Sequence, residues 1–154
     1  MTYVDSSALV PLYVPESFSA AARVAIQEAE QVPFTALHQV EVPNAFELMV
    51  GRRLIDREEC RAILRQLQDD VDSQRLIPTP LDLERVLADA SDLSRRYTAR
   101  FLARTVDLLH VAAAHLLLCQ GFVSADDRQL AVAKATGLPV VDIKRARRRR
   151  RPKG

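Results

Sequence analysis

Four acidic residues stand at the borders of short apolar runs: Asp5 after residues 2–4, Glu41 within 36–54, Asp107 opening 107–120, and Asp126 two residues after 122–124. Acids that follow strands project beyond the strands' carboxyl ends, where open α/β sheets form their ligand crevice. Asp107 sits between Val106 and Leu108-Leu109, and a carboxylate in such surroundings needs a partner, because burying an unpaired charge costs several kcal/mol. Convergence of these acids would call for a cation. Hard oxygen donors without cysteines favour Mg²⁺ or Mn²⁺ over Zn²⁺, and a site of four carboxylates would hold one or two such ions, with Asp5, Asp107 and Asp126 as metal ligands. Such a centre polarises a phosphate and lowers the pKa of an attacking water, which is phosphodiester hydrolysis without a covalent intermediate. Each acid alone also has a plainer reading: Asp107 as a charge in a helix's first turn, Asp126 or Ser124 as an N-cap, Glu41 on a solvated face. An aspartyl-phosphate enzyme would need a second Asp two residues after the first, but Asp5 is followed by Ser6-Ser7.

The elements that must position these acids follow from hydrophobic periodicity. Strands are expected at 2–4, 32–35, 75–77, 122–124 and 139–141. Helices are expected at 6–13, 17–30, 36–54, 56–73, 81–97, 107–120 and 126–136. Asp56 is a credible N-cap with Glu59 completing a capping box, and Gly121 stands where a glycine would follow the C-cap of the apolar helix. Pro43 lacks the N–H that a helix interior uses, so Glu41 is expected in an irregular first turn. Strands alternating with helices imply a parallel sheet covered on both faces.

Composition agrees with one such domain. The 154 residues are 48% hydrophobic with 5% aromatics, no Trp and four Gly, which suits aliphatic packing between helices. Of 22 Lys and Arg, eight fall from Lys144 onward with no acid among them, leaving 14 against 20 acidic residues before it, a net of −6. The chain therefore divides into a domain at 1–143 and a basic C-terminal tail at 144–154, expected to be disordered. The N-terminus shows no signal-peptide pattern, and the longest apolar stretch, 106–119, is broken by Asp107, His110 and His115 and is too short to span a bilayer. Cys60 and Cys119 lack metal or redox spacing and read as reduced thiols. A cytoplasmic protein without a membrane partner is expected.

Segments 3–10 (YVDSSALV), 35–41 (TALHQVE), 105–114 (TVDLLHVAAA) and 122–126 (FVSAD), with Leu130 following, resemble the PIN-domain family in order and spacing. They are most similar to VapC-like toxins of type II toxin–antitoxin pairs. The resemblance spans roughly residues 2–142. It implies a PIN-like three-layer α/β/α sandwich with a central parallel sheet flanked by helices. It also implies a Mg²⁺- or Mn²⁺-dependent endoribonuclease, often a homodimer, that cuts cellular RNA and is restrained by a VapB-like antitoxin. Carried onto this chain, it makes Asp5, Glu41, Asp107 and Asp126 the acidic site. Ser6 and Ser124 match hydroxyl positions that orient a carboxylate or water, and Asp127 takes second place behind Asp126. The antitoxin groove would be lined by helices between residues 17 and 73. Pro11 departs from the pattern, standing where a Lys is common, as does Pro43.

His38 lies three residues before Glu41, which makes a mixed site conceivable, whereas His110 and His115 do not share a helix face; hydrogen-bonded structural histidines are the plainer reading. In the tail, Arg147, Arg148, Arg149, Arg150 and Arg151 are candidates for RNA capture. Five phosphate contacts on a single strand would give a log–log salt slope of about −3.5. The rival function is a non-catalytic nucleic-acid- or partner-binding module that uses this tail.

Overall fold

A computed structural model describes residues 1–146; Arg147 to Arg151, the candidate RNA-binding arginines, lie outside the described residues. In chain order the elements are β1 (Tyr3–Val4), α1 (Ser6–Leu9) running into a 3₁₀ turn (Val10–Leu12), α2 (Ser19–Gln27), β2 (Pro33–Phe34), α3 (Ala36–Gly51) and α4 (Arg57–Asp72). There follow β3 (Ile77–Pro78), α5 (Leu83–Leu93), a π-helical turn (Ser94–Thr98), α6 (Ala99–Phe101), α7 (Thr105–Leu116), β4 (Phe122–Ser124), α8 (Asp127–Ala135), β5 (Val140–Asp142) and α9 (Ile143–Ala146). All pairings are parallel: β1, β4 and β5 form one ladder with β4 central, and β2 pairs with β3 in a second. Thr2 N–H donates to the Gln31 carbonyl at 2.9 Å and ties the two ladders at their start.

The two-residue period of a strand divides the core. Tyr3 and Phe122 point to one face, where their rings stack 5.5 Å apart among Val86, Leu93, Val111 and Val132 of α5, α7 and α8. Val4 and Val123 point to the other, among Leu9, Val42, Phe46, Leu67 and Ile143. Both faces of a parallel sheet are thus covered, which gives three layers. The expected α/β/α sandwich is the observed fold. Among the described residues no helix is long and apolar enough to cross a membrane. Cys60 and Cys119 are buried free thiols in different core clusters.

Several local expectations change. The third strand was expected to close before Pro78, yet Pro78 pairs with Phe34; as the tip of a two-strand ladder it needs no N–H of its own. Glu41 does not fall in an irregular first turn. Helix α3 starts at Ala36 behind a capping box between Thr35 and His38, and Pro43 lies inside it. The carbonyl that Pro43 leaves without an intrahelical donor is that of Gln39, an exposed residue whose carbonyl can be satisfied by water. Helix α7 ends at Leu116, not at Gln120, and the left-handed residue beyond its end is Leu118 at φ 54°, not Gly121. Gly121 instead immediately precedes β4, its carbonyl accepting the Tyr3 N–H at 2.9 Å. The basic tail begins as part of the body: Lys144 reaches Asp127 at 2.9 Å and Arg145 reaches Asp142 at 3.1 Å, both from the first residues of α9.

Candidate active site

Asp5 and Asp126 arise from equivalent positions. Asp5 leaves β1 and caps α1, accepting the Ala8 N–H at 3.2 Å; Asp126 leaves β4 and caps α8, accepting from the Arg128 and Gln129 N–H groups. Each carboxylate is therefore set by a helix N-terminus beyond a strand end, where the N–H groups and dipole favour negative charge. A hydroxyl relay joins the two. Asp126 N–H donates to Ser124 Oγ at 2.8 Å, Ser124 and Ser7 hydroxyls meet at 3.2 Å, and the Ser7 hydroxyl donates to Asp5 Oδ1 at 2.8 Å. Ser7 Oγ also accepts the Ala125 N–H at 2.9 Å. Asp5 is buried, and burial pushes its carboxyl up to about 6, partly opposed by the His110 charge and the Ser7 and Ser124 hydroxyls.

Glu41 reaches the same place from the second turn of α3. Its Oε2 accepts from the Ser6 hydroxyl at 2.8 Å and from His110 Nε2, while His110 Nδ1 shares a hydrogen bond with the buried Tyr3 hydroxyl at 2.8 Å. Burial raises the Glu41 carboxyl, but the His110 and Ser6 hydrogen bonds outweigh it and the net shift is downward. His38 lies behind this row. Its Nδ1 accepts the Thr35 N–H, so its Nε2–H donates to the Val4 carbonyl at 2.9 Å; burial and the nearby His110 push it down to about 3, which keeps it neutral. His38 ties α3 to the strand end that presents Asp5. His115 is elsewhere, bonded to Thr136.

Asp107 is the wholly buried third residue of α7, and its carboxylate is already occupied. Oδ2 accepts from the Arg104 backbone N–H at 2.7 Å and from Arg104 Nε at 3.1 Å; Oδ1 accepts from Arg104 Nη2 at 3.0 Å and Gln129 Nε2 at 3.3 Å. The same Nη2 reaches Asp126 Oδ2 at 2.7 Å. These contacts raise the Arg104 guanidinium's pKa, through its hydrogen bond to Asp107 first and then the charges around it.

Asp5, Glu41 and Asp126 line one cavity of about 440 Å³, together with Ser6, Arg104 and Gln129. Asp107 abuts it through Arg104 and Gln129. Asp127 does not enter it, being directed outward to Lys144. Gln129 is buried, and its Oε1 has no hydrogen-bond partner among the described residues. Carboxylates and an unmet amide oxygen around one cavity form a donor set whose chemistry suits a hard divalent cation. Among the described residues, no three acidic, His or Cys side chains are gathered as metal ligands in this arrangement. The place between Asp107 and Asp126 is taken by Arg104.

Ser7, Tyr3, His110, Arg104 and Gln129 were not singled out as site residues from the sequence. Arg104 carried a usable signal, standing three residues before Asp107 in a spacing that lets side chains meet on a helix. The His110–Glu41 contact spans 69 positions and leaves no local trace.

The class this fold defines is a three-layer α/β/α sandwich with a central parallel sheet, with Asp5 and Asp126 at the carboxyl ends of β1 and β4. Of solved structures, the chain is similar to the crystal structure of FitAcB from Neisseria gonorrhoeae, at 16% identity over 94% of this chain and 99% of that chain, with a TM-score of 0.68. No family model matches the chain, and no curated protein matches its sequence.

Proposed function

We propose that the protein is a metal-dependent endoribonuclease, the toxin member of a VapBC-type toxin–antitoxin pair. The observation that carries this reading is the meeting of Asp5, Glu41 and Asp126, from three distant parts of the chain, in one cavity that is also lined by Gln129, whose buried Oε1 has no partner among the described residues. The likeness to FitAcB supports the fold on which the reading depends.

Asp5, Asp107 and Asp126 would hold Mg²⁺ or Mn²⁺. When bound, that ion supplies charge stabilisation at a scissile phosphate and an acidified water. The chain's own residues do the rest. The Ser7 and Ser124 hydroxyls orient Asp5, and Tyr3 through His110 fixes Glu41, which with its lowered pKa stays ionised and is placed to accept a proton from water. A neighbouring hollow of about 430 Å³, lined by Val10, Phe18, Ala45 and Leu48 and sharing Ser6, Ser7 and Glu41 with the acid cavity, would receive an apolar segment of a VapB-like antitoxin. Incubating the protein with total RNA with and without Mn²⁺, then mapping new ends, tests the activity. Mn²⁺-dependent internal cuts are expected, and identical end maps in both lanes would contradict the proposal.

A further inference from the structure

The Asp107 side chain is wholly buried, and a carboxylate so placed persists as an ion only beside a counter-charge. The structure supplies one from its own chain. Arg104 Nη2 lies 3.0 Å from Asp107 and 2.7 Å from Asp126, spanning two of the acids that would hold a metal. The partners differ sharply in exposure: the Asp107 side chain is 0% exposed and that of Asp126 23%, but that of Arg104 is 59%. The carboxylates are thus fixed while the guanidinium stands at the cavity mouth, from which it can leave into solvent with little loss of packing. Gln129 marks where the arrangement is incomplete: its Nε2 donates to Asp107 at 3.3 Å, and its buried Oε1, an acceptor, has no donor or cation to meet it among the described residues.

We infer that Arg104 is the resident counter-cation of the acid site, and that a divalent ion must displace its guanidinium before it can bind Asp107 and Asp126. This rests on the metal-dependent reading above. A guanidinium and a divalent cation repel each other at one pair of carboxylates, so the two occupy them in alternation. Arg104 holds the metal-free protein together and, by the same contacts, lowers its affinity for metal. Asp5 and Glu41 make no hydrogen bond to Arg104 among the described residues, so displacement leaves their network unchanged.

The test is Mn²⁺ binding to the full chain without RNA, read by loss of the free-Mn²⁺ paramagnetic resonance signal, for the wild type, Arg104→Lys and Arg104→Gln. Gln removes the competing charge; Lys keeps the charge but loses the fork that spans both acids. Affinity is expected to rise in the order Arg, Lys, Gln, by about tenfold from first to last, which is about 1.4 kcal/mol. Arg104→Gln should also melt lower than wild type in EDTA and gain more from Mn²⁺. Equal or weaker Mn²⁺ binding by the variants would overturn the competition while leaving the metal site standing. Absence of Mn²⁺ binding in all three proteins would overturn the metal reading itself. If Arg104→Gln does not fold, the comparison of Lys with wild type decides.

Discussion

Asp5 is the residue on which burial and chemistry act most directly against each other. Its carboxyl is pushed up to about 6 because ionisation inside the protein forfeits hydration that the three hydroxyl and N–H contacts only partly replace. In the unfolded chain the same group ionises near 3.9. Between these values the native state binds the proton and the unfolded state has lost it, so Asp5 subtracts stability as pH rises from about 4 to 6 and no further above. Asp5→Asn keeps the shape and the cap on Ala8 but removes this titration. In EDTA, urea unfolding should therefore show the variant gaining on wild type across that interval, with a constant difference from pH 7 to 8. A difference independent of pH from 4 to 8 would mean that Asp5 ionises as freely in the native protein as in the unfolded chain. That Asp5 and Asp126 meet was legible from their places after two strands, whereas Glu41 was placed with them mainly by the family resemblance, because Pro43 obscured its helix. The network that aims them was less legible: Ser7, His110 and Gln129 act through partners across the fold, and a one-dimensional pattern does not carry such contacts.

At the scale of elements, periodicity found the long helices, because burial of one face enforces the repeat, and short apolar runs marked the five strands among the described residues, whose length is too small for any repeat. Boundaries moved where the competing term was local. Pro43 disturbs α3 less than its missing N–H suggests, because the orphaned carbonyl belongs to an exposed residue. The end of α7 was misplaced because a glycine four or five residues on looked like a better stop than a leucine. Leu118, 84% exposed at φ 54°, adopts the left-handed conformation without burying its side chain in return. Leu118→Gly should stabilise the protein by about 1 kcal/mol, the penalty that a Cβ incurs in this conformation. Thermal unfolding checks it, and a lower melting temperature would show that Leu118 makes contacts outweighing its backbone cost. Leu102, at φ 53°, uses the same conformation to turn the chain from α6 toward α7 and so brings Arg104 to the cavity.

For the whole molecule, charge is divided between an acidic body and a basic C-terminus. An acidic crevice repels a polyanion, and the arginines beyond Ala146 offset that repulsion if they meet phosphates. Removing residues 147–154 leaves the Lys144–Asp127 and Arg145–Asp142 pairs that anchor α9. The truncated protein should keep its fold while the salt slope of single-stranded RNA binding, measured in EDTA, falls by about 3.5, matching five lost phosphate contacts. An unchanged slope would assign RNA binding to the body alone. The claim that joins these scales is that the acids around one cavity cut RNA with a divalent ion. It is tested most directly by single-turnover cleavage of RNA in Mn²⁺ by wild type and Asp5→Asn, each shown folded by circular dichroism. Loss of several kcal/mol of charge stabilisation predicts a rate lower by about a hundredfold or more. Equal rates for the two proteins would contradict the account.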